Sequence, residues 1–300
     1  MKILLLGAHG QLGRELQRAL APLGEVLAFE RSRLDLADLG AVRACAQGAR
    51  PEIIVNAAAY TAVDAAESDP DNAFLVNADA PRVLAEEAAR SGAWLLHYST
   101  DYVFDGEATR PYTEQDRPNP LSVYGRSKLA GEEGVRAACP RHLIVRTSWL
   151  YSRHGANFPK TMLRLARERE HLRVVADQFG TPTPAALVAD ISAHMLRQAG
   201  AGEEGERCAG TYHVATTGST SWHLYARELL ALARANGMRL KATEEQIEAV
   251  TSDEYGAPAA RPRQACLDTT RLRATFGLVT PDWRAPLPDL IAELAQRNCP

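Results

Sequence analysis

Tyr124 and Lys128 stand four residues apart in the segment YGRSK. On a helix this spacing puts both side chains on one face. A free phenol, with a pKa of about 10, exchanges protons poorly near neutrality. An ammonium beside it favours the phenolate and draws the pKa towards the working range. Such a pair can act as an acid, giving a proton to an oxygen on which negative charge develops, as when a hydride reaches a carbonyl carbon. A surface tyrosine lying on a lysine stem has the same spacing, so the pair needs company. WLLHYST supplies it, an apolar strand ending in Ser99 and Thr100. Strands of a parallel sheet present polar groups to ligands at their C-terminal ends. The Thr100 hydroxyl can donate to the same developing charge.

The stretch GAHGQLG places Gly7, Gly10 and Gly13 between an apolar strand, ILLLG, and a helical segment beginning at Gln11. Gly7 permits a tight turn, Gly10 lets backbone N–H groups approach a pyrophosphate, and Gly13 lets the helix pack closely on the sheet. The spacing is GxxGxxG, one residue longer than the usual dinucleotide fingerprint, in the expected first strand–helix unit. A nicotinamide dinucleotide fits the Tyr–Lys pair, because the Lys128 amine can also reach a ribose hydroxyl. After the second strand, EVLAF, come Glu30, Arg31, Ser32 and Arg33. Glu30 suits the ribose hydroxyls of NAD; Arg31 or Arg33 suits the 2′-phosphate of NADP. Both readings fit. Asp35 either accepts from the adenine amino group or caps a helix starting at Leu36. Asn56 and the small residues Ala57, Ala58 and Ala59 let backbone lie close to a cofactor or pack tightly. Asp101 holds the DYVFDG loop beside Thr100 or caps a turn. His97 is expected to be structural, and His9 to touch phosphate or face solvent.

Short apolar strands alternate with helices through the first half, which implies a mostly parallel sheet covered on both faces. The second half is less regular, and Trp222 and Tyr225 read there as packing residues. The expected fold is α/β, a Rossmann-type doubly wound, mostly parallel sheet with a smaller α/β substrate-binding lobe. We assign 1–148 to dinucleotide binding, with later segments returning to it, and 149–300 mainly to the substrate lobe. Hydrophobic residues make up 46% of the 300, charged residues 24%, and the formal net charge is -3. This balance gives no basic face for nucleic acid, and no apolar run is long enough to span a bilayer. Cys45, Cys139, Cys208, Cys266 and Cys299 lie far apart without a CxxC pair. They imply reduced thiols and a cytoplasmic protein.

The chain resembles the extended short-chain dehydrogenase/reductase superfamily and, within it, the dTDP-4-dehydrorhamnose reductase family. The ordered strings LLGAHGQLGREL, RLDLAD, NAAAYTAVDAAE, STDYVFDG, NPLSVYGRSKLAGE, RTSWLYS, DQFGTPT and RPRQACLD carry the narrower match. The resemblance implies NADPH- or NADH-dependent reduction of the C4 ketone of dTDP-4-dehydro-β-L-rhamnose, a dTDP-sugar, with Thr100, Tyr124 and Lys128 as the catalytic set. It implies cofactor contacts at Gly7, Gly10, Gln11, Leu12, Gly13, Asp35, Leu36, Ala57, Ala58, Ala59 and Tyr60. Substrate contacts fall on Thr100, Tyr102, Trp149, Asn157, Gln178 and Arg263. Some family members form a Mg²⁺-linked homodimer. Glu15 fits its first carboxylate, but PAA at 184–186 lacks the later acid and Asp190 is out of register, so the resemblance carries over no complete Mg²⁺ site. A dehydratase on this scaffold would need an acid after Asp101, where Tyr102 stands. A binding module without turnover would have no use for the Thr100–Tyr124–Lys128 set.

Overall fold

The first strand, β1 (Lys2–Leu6), is apolar on both faces because it lies inside a sheet covered on both sides. Its alternating side chains divide the core. Ile3 and Leu5 join one layer with Leu12, Leu16 and Leu20 of α1 (Gln11–Leu20), while Leu4 and Leu6 join the other with Val42 and Ala46 of α2 (Leu39–Ala49). Each fully buried leucine contributes about 1.5–3 kcal/mol. The structure, a computed structural model, describes residues 1–296, so Cys299 lies outside the described residues.

The remaining sheet strands are β2 (Glu25–Phe29), β3 (Ile53–Asn56), β4 (Trp94–Thr100), β5 (His142–Thr147) and β6 (Gly210–His213). They pair in the order β6-β5-β4-β3-β1-β2, every pair parallel. Helices α3 (Ala80–Ser91) and α4 (Val123–Ala138) cover the α2 face; α6 (Ala185–Ala199) joins α1 on the other. The order reverses between β1 and β3, which opens a crevice at the strands' C-terminal ends. This is the expected doubly wound α/β sheet. Both β6 and α6 come from the second half of the chain and complete the first-half sheet, β6 covering the edge that β5 would otherwise expose.

The other lobe packs α5 (Phe158–Glu168), α7 (Trp222–Ala235) and α8 (Leu287–Gln296) around Leu163, Tyr225, Leu229, Trp283 and Leu287. A two-stranded parallel pair, Leu172–Val175 with Ile247–Val250, lies against α5 and α7. No helix among the described residues is long and apolar enough to cross a membrane. Cys45, Cys139, Cys208 and Cys266 are unpaired.

One local expectation needs correction. The second helix starts at Leu39, capped by Asp38, whose carboxylate accepts from Ala41 N at 2.9 Å. Asp35 instead closes a turn onto Ala37 N at 3.1 Å and pairs with Arg31 at 3.3 Å, so it does not cap that helix. The run HLIVRTSWL forms two strands. It breaks at Trp149, whose φ of +43° turns the chain before the short strand Leu150–Tyr151.

Candidate active site

A cleft of about 790 Å³ opens at the C-terminal ends of the strands. It runs from Arg31, Asp35 and Leu36, past Gly7, Gly10, Gln11 and Leu12, along Ala57–Tyr60, to Thr100, Tyr102, Tyr124 and Lys128, and ends at Trp149 and Trp222. A groove of about 870 Å³ lies at the opposite edge of the sheet, beside Arg50, Glu52, Arg90 and Arg141. Several of its charges are already paired, Arg90 with Glu87 and Arg141 with Glu206, and it faces the wrong ends of the strands for a ligand of this fold.

The glycine turn is sterically committed. Gly7 has φ +78°, and a Cβ there would lie 2.6 Å from Ala58 N. A Cβ on Gly13 would sit 2.0 Å from the Gly7 carbonyl oxygen. Gly13 therefore does not line the cleft but docks α1 beneath it. The α1 N-cap is Gly10, which has no side chain to bond the first-turn N–H groups, so these remain available to an anion. Gly13→Ala is expected to lower stability by about 1–3 kcal/mol through overpacking, to be read from urea denaturation; an unchanged midpoint would mean the turn is slack.

Helix α4 is brought to the site by glycines too. A Cβ on Gly125 would meet the Tyr102 carbonyl oxygen at 2.3 Å, and one on Gly131 the Asn77 carbonyl oxygen at 2.1 Å. The residue after Tyr124 thus lets the helix lie directly on the turn that follows β4. Ser122 caps this helix through Gly125 N at 3.1 Å. The Tyr102 and Tyr124 rings meet edge to face, with centroids 5.6 Å apart. Tyr60 is fixed by buried Asn77, which accepts from Tyr60 N at 2.8 Å and donates to its carbonyl oxygen at 3.0 Å. Asn77 sits in a π-helical turn over Leu75–Asp79, a local widening frequent at functional sites.

The electrostatics differ from the sequence expectation. Burial pushes the Tyr124 phenol well above its ordinary range, opposed by the Thr100 hydroxyl and reinforced by Asp101 and Tyr102. Lys128 is not among the groups that move it. The lysine is itself buried, its Nζ donating to the Tyr98 carbonyl oxygen at 2.6 Å. Burial pulls its pKa down to about 8, while the Glu132 carboxylate one turn further on pulls it up. The Lys128 ammonium therefore does not make Tyr124 acidic in this structure; desolvation wins. Thr100 donates to Asp101 Oδ1 at 2.9 Å, so its proton already has an acceptor. Asp101 also accepts from Ser148 at 2.8 Å, and burial pushes its pKa up to about 6. Tyr102 is pushed up to about 12, by burial first and then by the Asp101 charge, with Arg261 opposing.

Other expected site residues lie around the cleft without lining it. Glu30 contacts His9 of the glycine turn. Asn157 caps α5 through Lys160 N at 3.2 Å and donates to Gln11 Oε1 at 2.9 Å, tying the second lobe to the turn. Gln178 is buried and donates to Ser252 at 3.0 Å. Arg263 is exposed; Arg261, two residues earlier, is the arginine beside Tyr102 and it grips Asp64 with bonds of 3.0 and 2.8 Å. Glu15 is buried among nitrogen groups, with Arg18, Arg153 and His154 each at 3.5 Å. Asp190 binds Arg18 at 2.7 Å, so both carboxylates face an arginine. Among the described residues, no three His, Cys, Asp or Glu side chains cluster as metal ligands. His97 is structural, as expected: it is fully buried, and its Nδ1 pairs with Asn56 at 3.2 Å.

Sequence reading missed Trp222. It lines the cleft and stacks on Trp149, centroids 3.4 Å apart and planes 9° off parallel. Trp149 holds a left-handed backbone that costs a non-glycine residue about 1–3 kcal/mol.

The description RmlD substrate binding domain belongs to the family model that matches residues 1–296. The chain is 46% identical over 298 residues to dTDP-4-dehydrorhamnose reductase of Escherichia coli (strain K12), covering 98% of each. Among solved structures it resembles dTDP-4-dehydrorhamnose reductase from Bacillus anthracis str. Ames in complex with NADP, at TM-score 0.88 and 38% identity over 97% of this chain and 99% of that one. It also resembles a dTDP-4-dehydrorhamnose reductase from Clostridium acetobutylicum, at TM-score 0.89 and 39% identity over 99% and 100%. Full-length identity of this degree, on the same fold, leaves one assignment: the chain belongs to the dTDP-4-dehydrorhamnose reductase family.

Proposed function

We propose that the protein reduces the C4 ketone of dTDP-4-dehydro-β-L-rhamnose to give dTDP-β-L-rhamnose, with Tyr124 as the proton donor. The observation that carries this reading is a single cleft joining the glycine turn to Thr100, Tyr124 and Lys128. A dinucleotide fits the residues present. Gly10 puts no side chain over the α1 N-terminus, whose first-turn N–H groups stay free, and Thr147, which lines the cleft, keeps a buried hydroxyl without a partner among the described residues. Gly10, Gln11 and Leu12 would hold its phosphates, Ala57–Tyr60 its middle, and Lys128 a ribose hydroxyl. When bound, the nicotinamide supplies hydride to the carbonyl carbon.

The protein's own part is proton management. Burial keeps Tyr124 protonated throughout the neutral range, which is the state a donor needs before the carbonyl oxygen gains charge. Thr100 opposes the rise in that phenol's pKa, and on leaving Asp101 its hydroxyl can turn to the same oxygen. Both NADPH and NADH fit. His9 engages Glu30, while Arg31 lies in the cleft for a 2′-phosphate. The unpaired cysteines suit the cytosol, where we place the enzyme.

The test is oxidation of NADPH and of NADH by purified protein, with and without the 4-keto sugar nucleotide, and with EDTA in parallel. Turnover confined to that sugar nucleotide supports the reading; no turnover with either cofactor rejects it. A pH dependence follows from Lys128. Its ammonium persists below about pH 8 and is lost above it. Cofactor affinity should therefore fall as pH rises through about 8, and Lys128→Arg should move this limb to higher pH. A limb unmoved in that variant would remove Lys128 from cofactor binding.

A further inference from the structure

We propose that Trp222 is a positioning residue that holds the Trp149 indole as the apolar wall of the sugar end of the cleft. The inference deepens the reductase reading and rests on it for the ligand's class, a nucleotide-linked 6-deoxyhexose.

The Trp149 ring is held by two neighbours. Trp222 stacks on it, with planes only 9° apart and centroids separated by 3.4 Å. Gly180 packs close to it, and a Cβ there would sit 2.4 Å from Trp149 Cε2 and 2.6 Å from its Nε1. Trp222 is itself wedged. It opens α7, whose N-cap Ser221 accepts from Leu224 N at 3.1 Å, and Phe158 leans on its ring at 4.5 Å. These neighbours hold Trp149 in its left-handed backbone, φ +43°.

Core packing does not require this arrangement. Trp94 and Trp283 are buried, at 7% and 1% exposure, and neither has a positive φ. Trp149 and Trp222 are only half-buried, and both line the cleft. Strain that survives because its surroundings over-determine it clusters at ligand clamps. A flat indole matches the C–H face of a pyranose and the methyl of a 6-deoxy sugar, which offer no hydrogen bonds. Fixing the ring before the ligand arrives removes a side-chain ordering cost from binding.

Trp222→Ala should raise the KM for the 4-keto sugar nucleotide about tenfold, equivalent to about 1.4 kcal/mol, with a smaller effect on kcat and none on NADPH affinity. Trp222→Phe should recover most of the loss. The stacked indoles also give an exciton-coupled circular dichroism signal, which Trp222→Phe should abolish. A wild-type KM in Trp222→Ala, with the exciton signal gone, overturns the proposal. If that variant does not fold, Trp222→Leu decides, because it keeps apolar bulk without a flat ring: a wild-type KM there overturns it as well. Absence of wild-type turnover rejects the reductase reading instead, and the affinity of the variants for a dTDP-sugar still tests the wall.

Discussion

Tyr124→Phe is expected to lower kcat by about 100- to 10,000-fold, the range for removing a positioned acid, while the protein keeps its fold and binds NADPH as before. Only the hydroxyl is deleted. The ring still meets Tyr102 edge to face, and Gly125 still seats α4 on the turn after β4. The variant therefore separates chemistry from architecture. The sign of the pH dependence sharpens the result. Burial holds the phenol well above its ordinary range, so no loss of its proton should limit the rate between pH 6 and about 9. A rate that rose with pH through that range would mean the phenolate is the active form. Steady-state kinetics of wild type and variant, with NADPH binding measured by fluorescence, separate these outcomes. Undiminished turnover in the variant would remove Tyr124 from the chemistry.

Glu132→Ala is expected to cost about 3–5 kcal/mol of stability, the range for orphaning one member of a buried ion pair. Glu132 is fully buried and accepts two bonds from Arg146 of β5, at 2.8 and 2.6 Å, and a third from Arg136 at 3.0 Å. Burial works against its charge, but the Arg146 guanidinium overcomes this and holds the carboxyl below its usual range. Without Glu132, Arg146 stays buried at 2% exposure with a charge and no carboxylate. The same change removes the negative charge that raises the Lys128 pKa, so the alkaline limb of cofactor binding should move to lower pH. Urea denaturation reads the first effect and a binding titration across pH the second. A loss under about 1 kcal/mol would show that water or a neighbour satisfies Arg146.

Much of the sheet and the rim of the site were legible because they depend on local pattern. The run WLLHYST corresponds to β4 from end to end, and the glycine spacing led directly to the turn over α1. The Tyr124–Lys128 face needed only helical period. What escaped depends on three-dimensional approach. Trp222 looked like packing because its partner, Trp149, comes from a distant strand end. RPR does not say which arginine turns inward: Arg263 is exposed, and it is Arg261 that reaches Asp64. The effect of Lys128 on Tyr124 was overestimated because spacing reveals proximity but not burial, and burial governs both groups. Asp35 reads as a cap on paper, and only the turn it closes onto Ala37 shows that Asp38 takes that place.

The central claim is that the Tyr124 hydroxyl faces the ketone oxygen. A crystal structure of the ternary complex with NADP⁺ and a 4-keto sugar nucleotide tests it most directly. Tyr124 Oη is expected within about 2.6–3.2 Å of the C4 oxygen, hydrogen-bond reach for proton transfer. A phenol turned away from that oxygen, with a different side chain or a water donating in its place, would contradict it.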